Sequence, residues 1–441
     1  MSILSWFFAG ALLTGAARPG TELEAAPPTR PLPTATQPLN LLFYGNSYTA
    51  QNGTVSALVK LLAEAAGFPS PVVVAKLSGG ATLGFHLSNA SHAAAITESL
   101  AAGDEWDFVV LQGQSLEATA ALGSPGQFRA NAVSIATNLR AHSPNARTCL
   151  FQTWARGAGH SYYQGASPTF AGPVSMHRQI ERNYERAAMD IEAVHGAGSA
   201  RRAAAGGTAH LHAFDSELYT ADLSHPAPSL SVMAALAIFS TIYEVRPCEL
   251  RLDFAGGSTL VQTLTGWGID ATQWAWLAGI SGRVLDPALR RFPGSSDDLL
   301  LTSGAPGALT ACSTKSMPAG VPLGLRLESP NGRSEGDLSI LYADLSPTSP
   351  PWTTHATFPE IHFGQGSTVL LQAAALPASG RSIDWLVPPS LAGRYALIQG
   401  HVATASLTTG NAFTTTDAHE IRFLGAPRHR KSRGAPAPLA D

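Results

Sequence analysis

An apolar run, Leu39–Tyr44, passes through Gly45-Asn46-Ser47-Tyr48-Thr49 into a segment, Thr54–Ala66, whose apolar residues recur at helical spacing. A strand that turns at once into a helix is the unit of an α/β layer fold, which restricts the architectures open to this part of the chain. Such a junction sets a serine hydroxyl at the carboxyl edge of a parallel sheet, where backbone N–H groups and a helix dipole face a developing anion. Ser47 holds that place. The same residues also suit a plain turn, with Asn46 or Ser47 as a helix N-cap.

Three further segments have related settings. Trp106–Leu111 is a continuous apolar run expected of a buried parallel strand, and it ends in Gln112-Gly113-Gln114-Ser115. Gln114 could there aim its side-chain amide at the same edge as Ser47. After the strand expected over Val72–Leu77 comes Ser78-Gly79-Gly80-Ala81-Thr82, whose glycines let a backbone N–H approach a substrate oxygen closely. Far downstream, Asp222-Leu223-Ser224-His225-Pro226 reads Asp-x-x-His-Pro. An aspartate and a histidine three apart on a turn can pair carboxylate with Nδ1, leaving Nε2 free to take a proton from a serine. Alternatively Asp222 caps the helix expected over Ser229–Tyr243, and His225 is a surface residue.

In the order Ser, Gly, amide, Asp-x-x-His, these blocks resemble the SGNH (GDSL-like) hydrolase superfamily of esterases and acetylesterases, over roughly 39–245. The resemblance implies a flavodoxin-like three-layer α/β/α domain and no cofactor. It implies Ser47 as nucleophile and Asp222 and His225 as the rest of a triad. The oxyanion donors it implies are the Ser47 and Gly80 N–H groups and Gln114, where the family usually carries asparagine. The chemistry implied is acyl transfer: Ser47 attacks an ester carbonyl, and water then releases the acyl group.

The chain has 441 residues, 13% of them charged, with 42 Gly and 31 Pro, a texture expected of an exported protein of two domains. A formal net charge of −3 gives no electrostatic case for nucleic acid, and no interior run approaches the roughly 18 apolar residues of a membrane span. The first 17 residues, with Ile3–Leu13 apolar, read as a signal peptide or a lipid-inserted anchor, followed by a Pro/Thr-rich linker over 18–38. Cys149, Cys248 and Cys312 have no metal-ligand spacing. Cys149 is expected to be a buried hydrophobe, and Cys248 could pair with Cys312 if the chain is exported.

The 14 histidines suggest metal, but their spacing does not support it. His210 and His212 alternate in Ala209–Phe214, which reads as a strand. His86 is a candidate for the pocket mouth, although a solvent-facing role fits as well. Trp154, Arg156 and Tyr162–Tyr163 follow the strand expected over Thr148–Gln152, at the end where substrate loops lie. Trp154 is a candidate for stacking on a sugar ring or acyl chain, or else a core or lid residue.

A helix over Ala271–Leu285 closes the first domain, 39–288. From Leu289 to 427 short alternating segments between turn residues predict a smaller β-sandwich, and 428–441 form a basic tail. The expected function is a serine esterase acting on a small-molecule or carbohydrate ester, with cell-surface or polysaccharide attachment through the β region. Two readings of another class stay open: a glycan-binding protein that keeps the fold without the reaction, and a surface-attached scaffold.

Overall fold

The structure, a computed structural model, describes residues 37–211, 214–250, 252–284, 292, 294–295, 299–306, 308–310, 314–329, 332–346, 352–364, 367–406 and 409–424. The expected signal segment, most of the linker, the boundary near Leu289 and the basic tail lie outside these residues. All described residues belong to one compact unit beginning at Leu32.

Within it, five parallel strands, β1 (Asn40–Gly45), β2 (Val72–Leu77), β3 (Phe108–Leu111), β4 (Arg147–Phe151) and β5 (Ala200–Ala203), form a sheet in the order β2-β1-β3-β4-β5. β3 reads as a continuous apolar run because helices cover both faces of a parallel sheet, and all four of its residues are buried. After β1 come the short helix α1 (Ser47–Ala50) and α2 (Val55–Ala65), which buries Val55, Leu58, Val59, Leu62 and Ala63 along one stripe. Further helices include α3 (Leu83–Ser88), α4 (Pro125–His142), α5 (Pro173–His195), α6 (Ala205–Leu211), α7 (Pro228–Tyr243) and α8 (Ala271–Arg283). α7 is apolar nearly all round because it packs against α2, α8 and the sheet together. In this strand order the chain reverses direction between β1 and β3, and the crevice outside their carboxyl ends is where such sheets bind ligands.

The remaining chain is a β region. One sheet runs β13 (Ser367–Ala375), β10 (Leu338–Ser346), β15 (Tyr395–Val402), β17 (His419–Leu424), β8 (Thr314–Pro318), with β16 (Thr414–Thr415) beside β15. A second runs β14 (Arg381–Leu386), β9 (Pro322–Glu328), β6 (Leu300–Ala305), β7 (Ala308–Thr310), and β11 (Thr353–Thr354) pairs with β12 (His362–Phe363). Leu301, Leu323 and Leu325 of the second sheet share a core with Leu341, Ile398, Ile421 and Phe423 of the first. That is the packing of a sandwich. Pairing is antiparallel throughout this region except between β17 and β8.

One sequence expectation is corrected here. The strand expected around His210 is the helix α6, where His210 stacks on His177 at 4.8 Å; His212 lies outside the described residues. Alternating histidines mimicked a strand, but tertiary packing decided the conformation. Conversely Ala200–Ala203 is a strand despite two arginines, because Arg201 reaches Glu244 at 2.7 Å and Arg202 reaches Glu181 at 3.2 Å and Glu185 at 3.1 Å. Cys149 is free and buried, as its strand position suggested, and Cys248 is disulfide-bonded. Cys312 lies outside the described residues. No helix among the described residues is long and apolar enough to cross a membrane.

Buried imidazoles predict how stability responds to acid. Burial, reinforced by His362, pushes His401 down to about 3, and burial, reinforced by His92, pushes His86 down to about 4. Both are neutral in the fold, so below their ordinary value of 6.5 the unfolded chain takes up protons that the native chain refuses. Stability should be full above that pH and fall by about 1.4 kcal/mol per pH unit for each such imidazole on acidification. Thermal melts from neutral pH to pH 4 check this, and His401→Phe should flatten the decline.

Candidate active site

Ser47 is the first residue of α1, and Asn46 caps that helix by accepting from the Tyr48 N–H at 3.1 Å. The capping reading and the exposed-hydroxyl reading of this turn are both realised. Gly45 is required for close approach, since a Cβ there would lie 2.5 Å from Thr49 Oγ1 and 3.1 Å from Gln112 Oε1. Gln112, fully buried at the end of β3, accepts from the Asn46 N–H and the Thr49 hydroxyl, each at 2.9 Å. The two strands on either side of the switch point are thus tied together beside the serine.

His225 presents Nε2 to Ser47 Oγ at 2.9 Å, and its Nδ1 lies 2.5 Å from Asp222 Oδ2. The Asp-x-x-His segment is a closed turn. Asp222 Oδ1 accepts from the N–H groups of Ser224 and His225, both at 2.9 Å, and from the Thr220 hydroxyl at 2.8 Å, while Leu223 adopts φ 54°. Burial pushes the Asp222 carboxyl up, but hydrogen bonds from His225, Thr220 and Ser224 outweigh it and hold the group well below the usual carboxylate range.

The turn is braced from two directions. Asn52 donates to the Pro226 carbonyl at 2.9 Å and to Ser231 Oγ at 2.8 Å. Tyr48 shares a 2.8 Å hydrogen bond with Ser224 Oγ, sets its ring edge-on to His225 and stacks flat on Trp154 at 4.9 Å. Trp154 Nε1 donates to the Ser224 carbonyl at 3.0 Å. Of the roles expected for Trp154 the structure gives it the core one, and the pocket-mouth role expected for His86 is corrected. Trp154 has 0% exposure, so no sugar or acyl chain can stack on it. His86 is also buried, against Tyr44 and with Nδ1 2.7 Å from His92 Nδ1, so it lines no pocket mouth.

On the other side, the Ser78 N–H donates to the Gly45 carbonyl at 3.2 Å and Asn46 Nδ2 donates to the Ala81 carbonyl at 3.2 Å. These bonds hold the glycine turn beside Ser47, with Gly80 exposed at φ 67°. Among the described residues, neither the Gly80 nor the Ser47 N–H has a protein acceptor. Gln114 turns its side-chain oxygen to the Leu116 N–H at 2.7 Å, which leaves its NH₂ with only a 3.5 Å contact to Ser115 Oγ. Glu117 Oε2 accepts from the Gln114 N–H at 3.0 Å and the Leu83 N–H at 3.2 Å, joining the amide turn to the glycine turn. Sequence reading missed Gln112, Glu117 and Asn52. Asn52-Gly53 looks like a bare turn, and no local pattern marks a carboxylate that ties two loops.

Arg156 follows β4 at the same edge, and Gly157 makes that approach feasible: its N–H donates to the Leu223 carbonyl at 2.8 Å, and a Cβ there would stand 2.9 Å from the Tyr219 ring. No group of three or more metal-ligating side chains occurs among the described residues.

No family model and no curated protein matches the chain. Among solved structures it is similar to a protein of Slackia heliotrinireducens assigned to the SGNH hydrolases, at 27% identity and a TM-score of 0.37, covering 47% of this chain and 100% of that one. It is also similar to a DUF4886 family protein from Bacteroides uniformis, at 15% identity and a TM-score of 0.41, covering 56% and 94%. A third similar structure is a gut microbial diltiazem-metabolizing enzyme, at 15% identity and a TM-score of 0.30, covering 47% of each chain. The strand order and the site geometry above describe this chain directly.

Proposed function

We propose that the chain is a serine hydrolase that cleaves carboxylic esters with Ser47, His225 and Asp222. The observation that carries this reading is the continuous hydrogen-bonded path from Asp222 through His225 to Ser47 at the switch point of the sheet. His225 Nε2 takes the Ser47 proton as Oγ attacks the carbonyl carbon. The tetrahedral oxyanion accepts from the Ser47 and Gly80 N–H groups and from the Gln114 NH₂. Collapse expels the alcohol, which receives the proton from Nε2, and a water molecule repeats the sequence to free the acid and Ser47. Acetylated carbohydrate is the substrate class proposed for first trial. Export is proposed with it, supported by the signal-like start of the sequence and the disulfide at Cys248.

The test is labelling of the purified chain by a fluorophosphonate, with the adduct mapped to Ser47, together with turnover of p-nitrophenyl acetate. Lack of both removes the hydrolase reading. The Gln114 role has its own check. Gln114→Ala should lower kcat about a hundredfold with KM little changed, because a donor to the oxyanion strengthens its bond in the transition state. Steady-state kinetics decide this, and a change confined to KM makes Gln114 a ground-state contact.

A further inference from the structure

Arg156 stands apart from the two half-buried arginines of β5. Arg201 and Arg202 are neutralised by Glu244 at 2.7 Å and by Glu181 and Glu185 at 3.2 and 3.1 Å. Arg156 is only 7% exposed, yet no carboxylate among the described residues pairs with it. Its Nη2 donates to the uncharged Ser115 hydroxyl at 2.9 Å, and its buried Nη1 has no partner. An arginine cannot shed its proton, so this is a fixed cation largely removed from water, and Asp222 favours it only through space, without an ion-pair contact.

The group is held against the ring of Tyr48, the residue after Ser47. Its guanidinium carbon lies 5.7 Å from the centre of the Tyr48 ring and 6.0 Å from that of Tyr162, and Tyr48 directly follows Ser47 and contacts His225. Ser115, its one side-chain hydrogen-bond partner, directly follows Gln114. The Tyr163 hydroxyl donates to the Arg156 carbonyl at 3.0 Å, which anchors the backbone. Asp222, the nearby acid, is already committed to His225.

We infer that Arg156 supplies the counter-charge site for a carboxylate carried by the substrate, so that the ester hydrolysed is anionic. This rests on the hydrolase reading above and specifies its substrate class. A guanidinium offers a planar fork of donors that matches a carboxylate, and a charged hydrogen bond of this kind supports a preference of about 30-fold. The carboxylate could sit on the acyl or the alcohol side of the scissile bond.

Two matched pairs of esters separate these cases in the full-length chain. Mono-4-nitrophenyl succinate against its methyl ester tests the acyl side, and 4-acetoxybenzoate against 4-acetoxybenzamide tests the alcohol side. The expected result is that kcat/KM for the charged member of one pair exceeds its neutral partner by about 30-fold, mainly through KM. Arg156→Gln should bring that ratio close to one, and Arg156→Lys should restore part of it. Ratios near one in both pairs for the wild type, or a ratio that Arg156→Gln leaves intact, overturn the assignment. If Arg156→Gln does not fold, the wild-type ratios and those of Arg156→Lys decide, ratios near one in both pairs for the wild type counting against Arg156. Failure of the wild type to cleave any of the four esters, with no fluorophosphonate labelling, would instead overturn the hydrolase reading itself.

Discussion

Ser47→Ala is expected to abolish fluorophosphonate labelling and to lower ester turnover by about a millionfold, with the fold unchanged. The substitution removes one oxygen from a partly exposed position at the start of α1, and Asn46 continues to cap that helix. What disappears is the one atom among the described residues that His225 Nε2 is hydrogen-bonded to. A water molecule could occupy the vacated space, but it lacks the fixed attack geometry that the covalent route depends on. Kinetics on the purified variant, with circular dichroism to establish folding, provide the measurement. Residual turnover above roughly a thousandth of the wild type in a folded variant places the nucleophile elsewhere.

Asp222→Asn should cost about ten-thousandfold in kcat through a change of tautomer. Asp222 Oδ1 accepts two backbone N–H bonds and the Thr220 hydroxyl, so an asparagine would keep its oxygen there and turn NH₂ toward His225 Nδ1. That nitrogen would then have to accept, the imidazole proton would move to Nε2, and Nε2 could no longer accept from Ser47. Wild-type kcat/KM should fall on acidification, because the reaction needs a base at Nε2 to accept the Ser47 proton. The acid limb should follow a single ionisation, because hydrogen bonds overcome burial and keep Asp222 ionised well below the usual carboxylate range. A limb that falls with two protons would show that a second acidic group controls the rate.

The residues of the site were legible in sequence where the signal is local. The turn Gly45–Thr49 sits between an apolar run and a helical stripe, and Asp222 and His225 fall within one turn; each block alone also suits plain capping, and their order along the chain, through a family resemblance, joined them. The β segments beyond Leu299 were visible from local pattern, since alternation and turn residues mark each strand. What could not be read was fixed by distant partners. β5 carries arginines that make sense only beside Glu244, Glu181 and Glu185, which come from other elements. Trp154 sits at a strand end where both a substrate platform and a brace are plausible in sequence. Tyr48 and Ser224, more than 60 positions away on either side, make it a brace. Gln112 and Glu117 gain meaning only once the amide turn and the glycine turn are neighbours.

The hydroxyl of Ser47 and the nitrogen that would activate it are separated by 178 positions. The intervening chain supplies four of the five sheet strands, so the base is the last catalytic part to emerge during synthesis. A growing polypeptide that has already completed β1 and α1 therefore carries an inert alcohol. Reactivity toward a fluorophosphonate arises only once the segment after β5 has returned to the edge of β1, and a time course of labelling during refolding would report closure of the whole sheet rather than formation of any one element.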